Sequence, residues 1–273
     1  PIFVNDLGEI LRRQGYRNQA EILSAFARIA SRGTGGVTGS LGAFTEGMQK
    51  RFATPSQWRK AHEAVAAEIR GKGRKSLALT ADVTAPGSLE AFREAVIKAF
   101  GSVEILLNCA GRTKRTPTLK VSLDEWNAIM ETNLTGTLRG CQVFGEHMIE
   151  RKYGRIINIA SLGSYVAMLE VAAYSASKSA VMSLTQSLAI EWAKYGVCVN
   201  AIAPGLFRTE LNAALLDGTP RGQEFKIRTP MGRFGHTEEL VGAAVYLASK
   251  AASFTTGQAI AVDGGFLASG VNQ

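Results

Sequence analysis

From residue 76 onward, short aliphatic runs alternate with longer segments whose apolar positions recur every three or four residues. A continuous apolar run is typical of a parallel strand covered on both faces, and the three-to-four spacing is typical of an amphipathic helix. The pattern therefore predicts strands and helices in alternation. The predicted strands are Leu77–Ala81, Val103–Asn108, Arg155–Ala160, Val197–Ala203 and Gln258–Val262, and the predicted helices are Ser88–Phe100, Leu123–Arg151, Ala172–Tyr195 and Thr237–Ser249.

This alternation predicts an α/β fold, a doubly wound parallel sheet of the Rossmann-like kind with helices on both faces. The composition, 46% hydrophobic and 20% charged, is that of an ordinary globular protein. Because no repeat or low-complexity linker divides the chain, a single domain over residues 1–273 is predicted. Residues 204–236 are rich in Gly, Pro and polar residues and follow the carboxyl end of a strand, where α/β sheets bind ligands. This segment is therefore predicted to be a substrate loop.

Charge and cysteine usage narrow the expected partners and compartment. Residues 1–75 hold 13 of the 31 basic residues but only 6 of the 23 acidic ones. The basic residues are scattered without interleaved aromatics, so we expect solvated faces and no nucleic-acid partner. No apolar run approaches the roughly 18 residues of a membrane span, so no membrane partner is expected. The widely spaced Cys109, Cys141 and Cys198 indicate free thiols in a reducing, cytoplasmic compartment and no metal site.

The strongest candidate chemistry is a tyrosine and a lysine on one predicted helix. Tyr174 and Lys178 are four residues apart, so their side chains lie on one face about one turn apart. A nearby cation favours the phenolate and lowers the pKa of a tyrosine, ordinarily near 10, which makes Tyr174 a candidate acid/base. Ser161 directly follows the apolar run Arg155–Ala160, at the sheet edge where ligands bind.

Other small or polar residues fall at the ends of neighbouring strands. Asn108–Gly111 (NCAG) ends one strand with small residues that let a flat ligand approach the backbone. Asn133 is a polar residue inside an otherwise apolar helical segment. Pro204 and Gly205 close a later strand and precede Thr209, and Asp82 and Val83 follow the run Leu77–Ala81.

Together these residues resemble the short-chain dehydrogenase/reductase family from about residue 62 to residue 273. Six motifs occur in the family's order and spacing, including 26 residues from Asp82 to Asn108. Cys109 departs from the pattern, because it stands where the family has a second Asn. The resemblance implies a homotetrameric, NAD(P)(H)-dependent oxidoreductase that interconverts a secondary alcohol and a ketone on a small polar substrate.

The resemblance also implies a role for each matching residue. Tyr174 would give a proton to the carbonyl oxygen in reduction or take one from the alcohol in oxidation, and Ser161 would hydrogen-bond that oxygen. Lys178 would lower the pKa of Tyr174 and bind the nicotinamide ribose, and Asn133 would hold a water that joins Lys178 to solvent. The implied cofactor contacts are Asp82 and Val83 at the adenine, Asn108, Ala110 and Gly111 at the adenosine ribose and pyrophosphate, and Pro204, Gly205 and Thr209 at the nicotinamide end.

The amino-terminal part departs from the family pattern. The family's phosphate-binding Thr-Gly-x-x-x-Gly-x-Gly falls on Thr34, Gly35 and Gly39, but Leu41 stands at the last glycine. Residues 27–33 (ARIASRG) are a poor central strand, and residues 53–58 contain a Pro that a central strand cannot use. Either this region is remodelled, or residues 1–60 as written are not what the fold contains. The register places Arg59 where a basic residue would favour a 2′-phosphate, so NADP(H) is favoured over NAD(H).

Three interpretations of the function stay open. The run Asp263–Gln273 resembles sugar-acid and polyol dehydrogenases of the family, such as gluconate 5-dehydrogenases. A 3-oxoacyl carrier-protein reductase would share every catalytic residue, and Arg112, Lys114 and Arg115 could meet an acidic carrier protein. A non-catalytic nucleotide-binding scaffold with a degraded dinucleotide loop is the alternative from another class, and the intact Ser161, Tyr174 and Lys178 argue against it.

Overall fold

The architecture comes from a computed structural model, which describes residues 2–4, 63, 65–208 and 212–271. Within these ranges five strands form one sheet in the order β1-β2-β3-β4-β5. The strands are β1 (Ile2–Val4), β2 (Ile105–Asn108), β3 (Gly154–Ile159), β4 (Val197–Pro204) and β5 (Ala259–Val262). Strands β2 to β5 pair in parallel, whereas β1 pairs antiparallel with β2. The doubly wound α/β prediction is confirmed, and β1 adds an antiparallel strand at one edge, a common addition that the apolar pattern did not predict.

Helices cover both faces of the described sheet. They include α1 (Ser88–Phe100), α2 (Leu123–Met130), α3 (Gly136–Glu150), α4 (Ala172–Trp192), α5 (Ala213–Leu216), α6 (Pro220–Arg228) and α7 (Val241–Ala248). On one face, Phe92 of α1 and Phe144 of α3 pack edge to face beside Ile156 of β3. On the other face, Leu247 of α7 packs against Ile157 of β3. Neighbouring strand residues thus enter opposite cores, which explains why the strands have continuous apolar sequences.

The predicted strand Leu77–Ala81 is wrong, because these residues have no regular secondary structure. Leu79 and Ala81 still pack against the core under α1 and α3, whereas Leu77 is exposed. A strand needs a neighbour to satisfy its backbone groups, and no described strand lies beside this segment. The apolar residues of this segment therefore reflect burial in the core and not the hydrogen-bonded pairing of a strand.

The predicted helix Leu123–Arg151 is interrupted by a π-helical turn over Glu131–Thr135, which separates α2 from α3. Such a turn inserts one extra residue and often accompanies a functional site. The other predicted helices are close to the observed ones: α1 has the predicted bounds, and α4 ends at Trp192 in a 3-10 turn. The helix predicted over Thr237–Ser249 begins with a 3-10 turn before α7.

Within residues 212–236, the part of the predicted substrate loop beyond residue 211, the structure forms α5 and α6. Among the described residues, no helix has both the length and the apolar content to cross a membrane.

Candidate active site

The carboxyl end of β3 and the first turns of α4 bring Ser161, Tyr174 and Lys178 together. Ser161 is buried, its hydroxyl accepts the Gly163 N–H at 3.1 Å, and it lies near enough to the Tyr174 phenol to favour the phenolate. The Lys178 Nζ lies 5.9 Å from the centroid of the Tyr174 ring. The three side chains that the sequence singled out therefore meet at one edge of the sheet.

Lys178 is almost fully buried, and its ammonium group is bound to the end of β3. Its Nζ donates to the Ile159 carbonyl at 2.6 Å. Burial lowers the pKa of Lys178 to about 8, while the nearby Cys109 acts in the opposite direction. The ammonium carries three N–H donors, so two are left beside this bond. Those donors suit the vicinal hydroxyls of a ribose, so the residues present fit a nicotinamide dinucleotide.

The expected lowering of the Tyr174 pKa is wrong for this structure. Burial raises the pKa of Tyr174, and the neighbouring Ser161 hydroxyl opposes that rise without reversing it. A phenolate buried away from water is costly, and the Lys178 ammonium donates to Ile159 rather than to the phenol. Tyr174 therefore stays a neutral phenol at neutral pH and can donate a proton.

The fully buried Asn133 lies in the π-helical turn and joins two parts of the site. Its Nδ2 donates to the Arg112 carbonyl and to the Ser177 Oγ, each at 2.9 Å, and its Oδ1 accepts the Arg112 N–H at 2.7 Å. The Ser177 Oγ in turn donates to the Tyr174 carbonyl at 2.7 Å. This bridge through Ser177 and Arg112 was missed by the sequence analysis, although Ser177 lies directly before Lys178. The water predicted at Asn133 stays a prediction.

The proteins that are similar to this chain are dehydrogenases and reductases, in agreement with the site described above. A family model described as enoyl-(acyl carrier protein) reductase matches residues 52–267. The D-threitol dehydrogenase of Mycolicibacterium smegmatis is 39% identical over 204 residues, which are 75% of this chain and 78% of that protein. The 5-keto-D-gluconate 5-reductase of Escherichia coli is 37% identical over 205 residues, 75% of this chain and 81% of that protein.

A solved gluconate 5-dehydrogenase from Burkholderia cenocepacia, in complex with NADP and tartrate, is 38% identical to this chain. Its TM-score is 0.74, and the match covers 77% of this chain and 83% of that one. The chain belongs to the short-chain dehydrogenase/reductase family. It is an NAD(P)-dependent oxidoreductase that interconverts a secondary alcohol and a ketone.

Two of the predicted cofactor residues of this dehydrogenase have side chains that contact other parts of the protein. One packs in the core, and the other accepts hydrogen bonds within a turn. Val83 is buried under α3, where its Cγ2 would lie 2.7 Å from a Cβ at Gly136. The Asp82 carboxylate accepts the Thr84 N–H at 2.9 Å and the Thr84 hydroxyl at 2.8 Å. Contacts of these two residues with an adenine stay predictions.

Asn108 is likewise engaged inside the dehydrogenase. Its Nδ2 donates to the Asn158 Oδ1 at 2.9 Å and to the Cys141 Sγ at 3.3 Å. Asn158 donates onward to the Thr185 Oγ1 of α4 at 3.0 Å. These buried contacts join β2 and β3 to α3 and α4, so a ligand would meet the backbone of Asn108 rather than its amide. The polar residue Asn158 within an apolar strand was the sequence signal for this network.

Small residues occur at the ends of β2 and β4 in the dehydrogenase. Ala110 and Gly111 are partly exposed after β2, and a Cβ on Gly111 would lie 3.6 Å from the Lys178 Nζ and 3.5 Å from the Asn133 Oδ1. Pro204 ends β4, and a Cβ on the following Gly205 would lie 2.6 Å from the Asp263 Cα. Gly205 is therefore required by packing, whatever else it contacts. The predicted Thr34, Gly35, Gly39, Leu41, Arg59 and Thr209 lie outside the described residues.

Proposed function

We propose that this dehydrogenase interconverts a keto group and a hydroxyl group on a small sugar acid or related polyol, with Tyr174 as the acid/base. The observation that carries this proposal is the placement of the Tyr174 phenol beside the buried Ser161, with the buried Lys178 Nζ 5.9 Å from the centroid of the Tyr174 ring. Two neighbouring hydroxyl groups can both hydrogen-bond one further oxygen, which is what a substrate carbonyl requires.

In the proposed reduction, the hydroxyls of Ser161 and Tyr174 hold the carbonyl oxygen, and Tyr174 gives its proton to that oxygen as negative charge develops. The raised pKa of Tyr174 keeps the phenol protonated for this task. The nicotinamide of a bound dinucleotide supplies the hydride chemistry. Lys178 would hold the ribose hydroxyls, and Asn133 would keep the segment after β2 in place beside it. Oxidation would use the same groups in reverse.

The substrate class rests on the relatives. Their names refer to threitol and to 5-keto-D-gluconate, and the Burkholderia enzyme binds tartrate, a small hydroxy acid. These names favour a small polar substrate over a carrier-protein thioester. The scaffold alternative is disfavoured because Ser161, Tyr174 and Lys178, the three residues that the proposed reaction uses, meet at one edge of the sheet.

We propose NADP(H) as the preferred cofactor. The support is the NADP bound by the Burkholderia relative and the basic residue Arg59, which the sequence register of the family assigns to the adenosine ribose. Fluorescence titration with NADPH and NADH tests this preference directly, and a tighter complex with NADH would overturn it.

We further propose a single-domain subunit over residues 1–273 that assembles as a homotetramer in the cytoplasm. Large apolar side chains are exposed on α2, α4 and the segment before β5, namely Leu123, Ile190 and Phe254, and such side chains suit contacts between copies. The free thiols Cys109, Cys141 and Cys198 suit a reducing compartment. Sedimentation equilibrium tests the tetramer, and a monomer at micromolar concentration would refute it.

The proposed activity is tested by following NADPH oxidation with 5-keto-D-gluconate and NADP+ reduction with threitol or gluconate, beside an acetoacetyl thioester as the carrier-protein substitute. Turnover of a sugar acid or polyol at a kcat/KM well above that of the thioester supports the proposal. A preference for the thioester would favour the carrier-protein alternative. If NADPH and NADH both fail to bind below millimolar concentration, the scaffold alternative replaces the enzyme.

A further inference from the structure

Three basic residues follow the end of β2, and they differ in how their charges are neutralised. The Lys114 Nζ lies 2.6 Å from a Glu125 carboxylate oxygen, and the Arg115 Nε lies 2.5 Å from a Glu170 carboxylate oxygen. Arg112 makes no ion pair and no side-chain hydrogen bond with any residue that the structure describes, although it is half-buried. Arg112 is thus the member of this group whose charge lacks a protein counter-ion.

The position of Arg112 is set by the active site. Both of its backbone hydrogen-bonding groups bind the Asn133 carboxamide, at 2.7 and 2.9 Å. It directly follows Gly111, whose missing Cβ would lie 3.6 Å from the Lys178 Nζ. The backbone of Arg112 is therefore held next to the groups that face the proposed substrate and cofactor.

A partly buried cation without a counter-ion is unfavourable, because it loses water contacts and gains no compensating partner. A guanidinium offers a planar pair of N–H donors that matches a carboxylate or a phosphate in two parallel hydrogen bonds. Both groups are expected in this site, since a sugar acid carries a carboxylate and a dinucleotide carries phosphates. An anionic oxygen pair would supply the partner that the described residues do not.

We infer that Arg112 is an anion-binding residue of this active site, which contacts the carboxylate of the substrate or a phosphate of the cofactor. The identity of the anion rests on the proposed function. That the ligand is an anion rests on the charge of Arg112, which no described residue neutralises. This role makes Arg112 a determinant of specificity for charged over neutral ligands of the same size.

The test compares Arg112→Gln with Lys114→Gln. Both variants remove one positive charge from the same segment, so they change the long-range potential alike, but of the two only Arg112 has no counter-ion among the residues that the structure describes. Arg112→Lys keeps the charge and removes the planar fork. Calorimetry measures the dissociation constants of NADPH, NADH and inorganic pyrophosphate on the free protein, and of tartrate and threitol with and without NADPH. Thermal unfolding verifies that each variant is folded.

If Arg112 binds the carboxylate, Arg112→Gln raises the dissociation constant of tartrate by about tenfold or more, as expected for the loss of a charge-assisted hydrogen bond. The dissociation constants of threitol and NADPH then stay unchanged. If it binds a phosphate, the same variant weakens NADPH, NADH and pyrophosphate and spares tartrate. In either case the dissociation constants of Arg112→Lys lie between those of Arg112→Gln and those of the native protein. Lys114→Gln changes every constant by less than about twofold, because its cation is already paired.

Equal, small effects of Arg112→Gln and Lys114→Gln on all five ligands would overturn the inference. The binding of pyrophosphate, and of tartrate in the absence of NADPH, is measured without any turnover. These two measurements therefore test the anion site independently of the proposed function. If the native protein binds neither dinucleotide, the proposed function fails, whereas a selective loss of either small anion in Arg112→Gln still supports the anion site. If the native protein binds no anion at all, the inference fails too.

Discussion

Asn133 and Arg112 are joined by a two-way hydrogen bond, in which one carboxamide both donates to and accepts from the same residue's backbone. The contact spans 21 residues of sequence and connects the π-helical turn between α2 and α3 with the end of β2. A regular helix through Glu131–Thr135 would present residue 133 at a different angle, so the extra residue of the turn is what aims the carboxamide.

Replacing Asn133 by Leu removes this bridge and its bond to Ser177. We expect Asn133→Leu to lower the free energy of unfolding by about 3 kcal/mol, at roughly 1 kcal/mol for each of its three hydrogen bonds. Ser177→Ala is the matched control, because it removes only the Asn133–Ser177 bond and the bond to the Tyr174 carbonyl. Urea unfolding measures both variants. A loss no larger in Asn133→Leu than in Ser177→Ala would mean that the bridge to Arg112 contributes nothing to stability.

Tyr174→Phe separates proton transfer from binding. The phenyl ring keeps the shape of the site, but the proton donor beside Ser161 is lost. We expect kcat to fall by about 100-fold to 10,000-fold, the usual contribution of a positioned acid/base, while the dissociation constant of NADPH changes by less than about twofold. Tyr165→Phe removes a phenol from an exposed tyrosine in the segment between β3 and α4 and serves as the control. Substantial turnover by Tyr174→Phe would show that another group supplies the proton.

Lys178 should make cofactor binding depend on pH. Its pKa is lowered to about 8, so the side chain is a cation below pH 8 and becomes neutral as the pH rises through 8. An anionic dinucleotide prefers the charged form, so binding is expected to weaken with rising pH. We expect the NADPH dissociation constant to be about tenfold higher at pH 9.5 than at pH 7, since the bound anion would raise the pKa of the lysine.

In Lys178→Met the same pH change should have little effect, because the titrating ammonium is gone. Fluorescence titration across the pH range measures both proteins, and circular dichroism verifies that the variant keeps its fold after losing the bond to Ile159. Parallel pH profiles for the native protein and the variant would place the titrating group elsewhere.

The sequence pattern predicted those elements whose own residues decide their structure. α1 has the predicted bounds because two signals mark the same ends. Its apolar spacing stops where the flanking Gly87 and Gly101, both at positive φ, begin and end the helix. The strand prediction for Leu77–Ala81 was wrong because a strand depends on a neighbour, and none of the strands in the described ranges lies beside this segment; burial alone gave it the same apolar appearance. The π-helical turn was not predictable from apolar spacing, since the contact that accompanies it, between Asn133 and Arg112, joins residues 21 positions apart.

The candidate site shows the same division. The spacing of Tyr174 and Lys178 placed both side chains on one helix face, and the structure brings Ser161 to them. The sign of the Tyr174 pKa shift was wrong because a sequence gives the distance between two groups along a helix but not the water that surrounds them. For Asn108, the strand end was predicted, but the direction of its amide depended on Asn158 across the sheet.

Gly205 offers a test of packing at the mouth of the candidate site. A Cβ there would lie 2.6 Å from the Asp263 Cα and 3.3 Å from its carbonyl carbon, and backbone atoms cannot rotate away as a side chain can. We therefore expect Gly205→Ala to separate the end of β4 from residue 263 and to lower the free energy of unfolding by about 1–3 kcal/mol, the usual cost of overpacking.

Gly242→Ala is the matched control, because it adds the same methyl group within α7 where nothing lies within 4 Å. It should leave stability unchanged or raise it by up to about 1 kcal/mol, since Ala favours helix over Gly. Thermal and urea unfolding compare the two variants. Asp263 also accepts the backbone N–H groups of Gly265 and Leu267 at 2.9 Å, so the displacement should carry the following turn with it. If Gly205→Ala proved as stable as Gly242→Ala, the Pro204–Gly205 turn would not be held by this contact, and the glycine would have to be explained by a ligand.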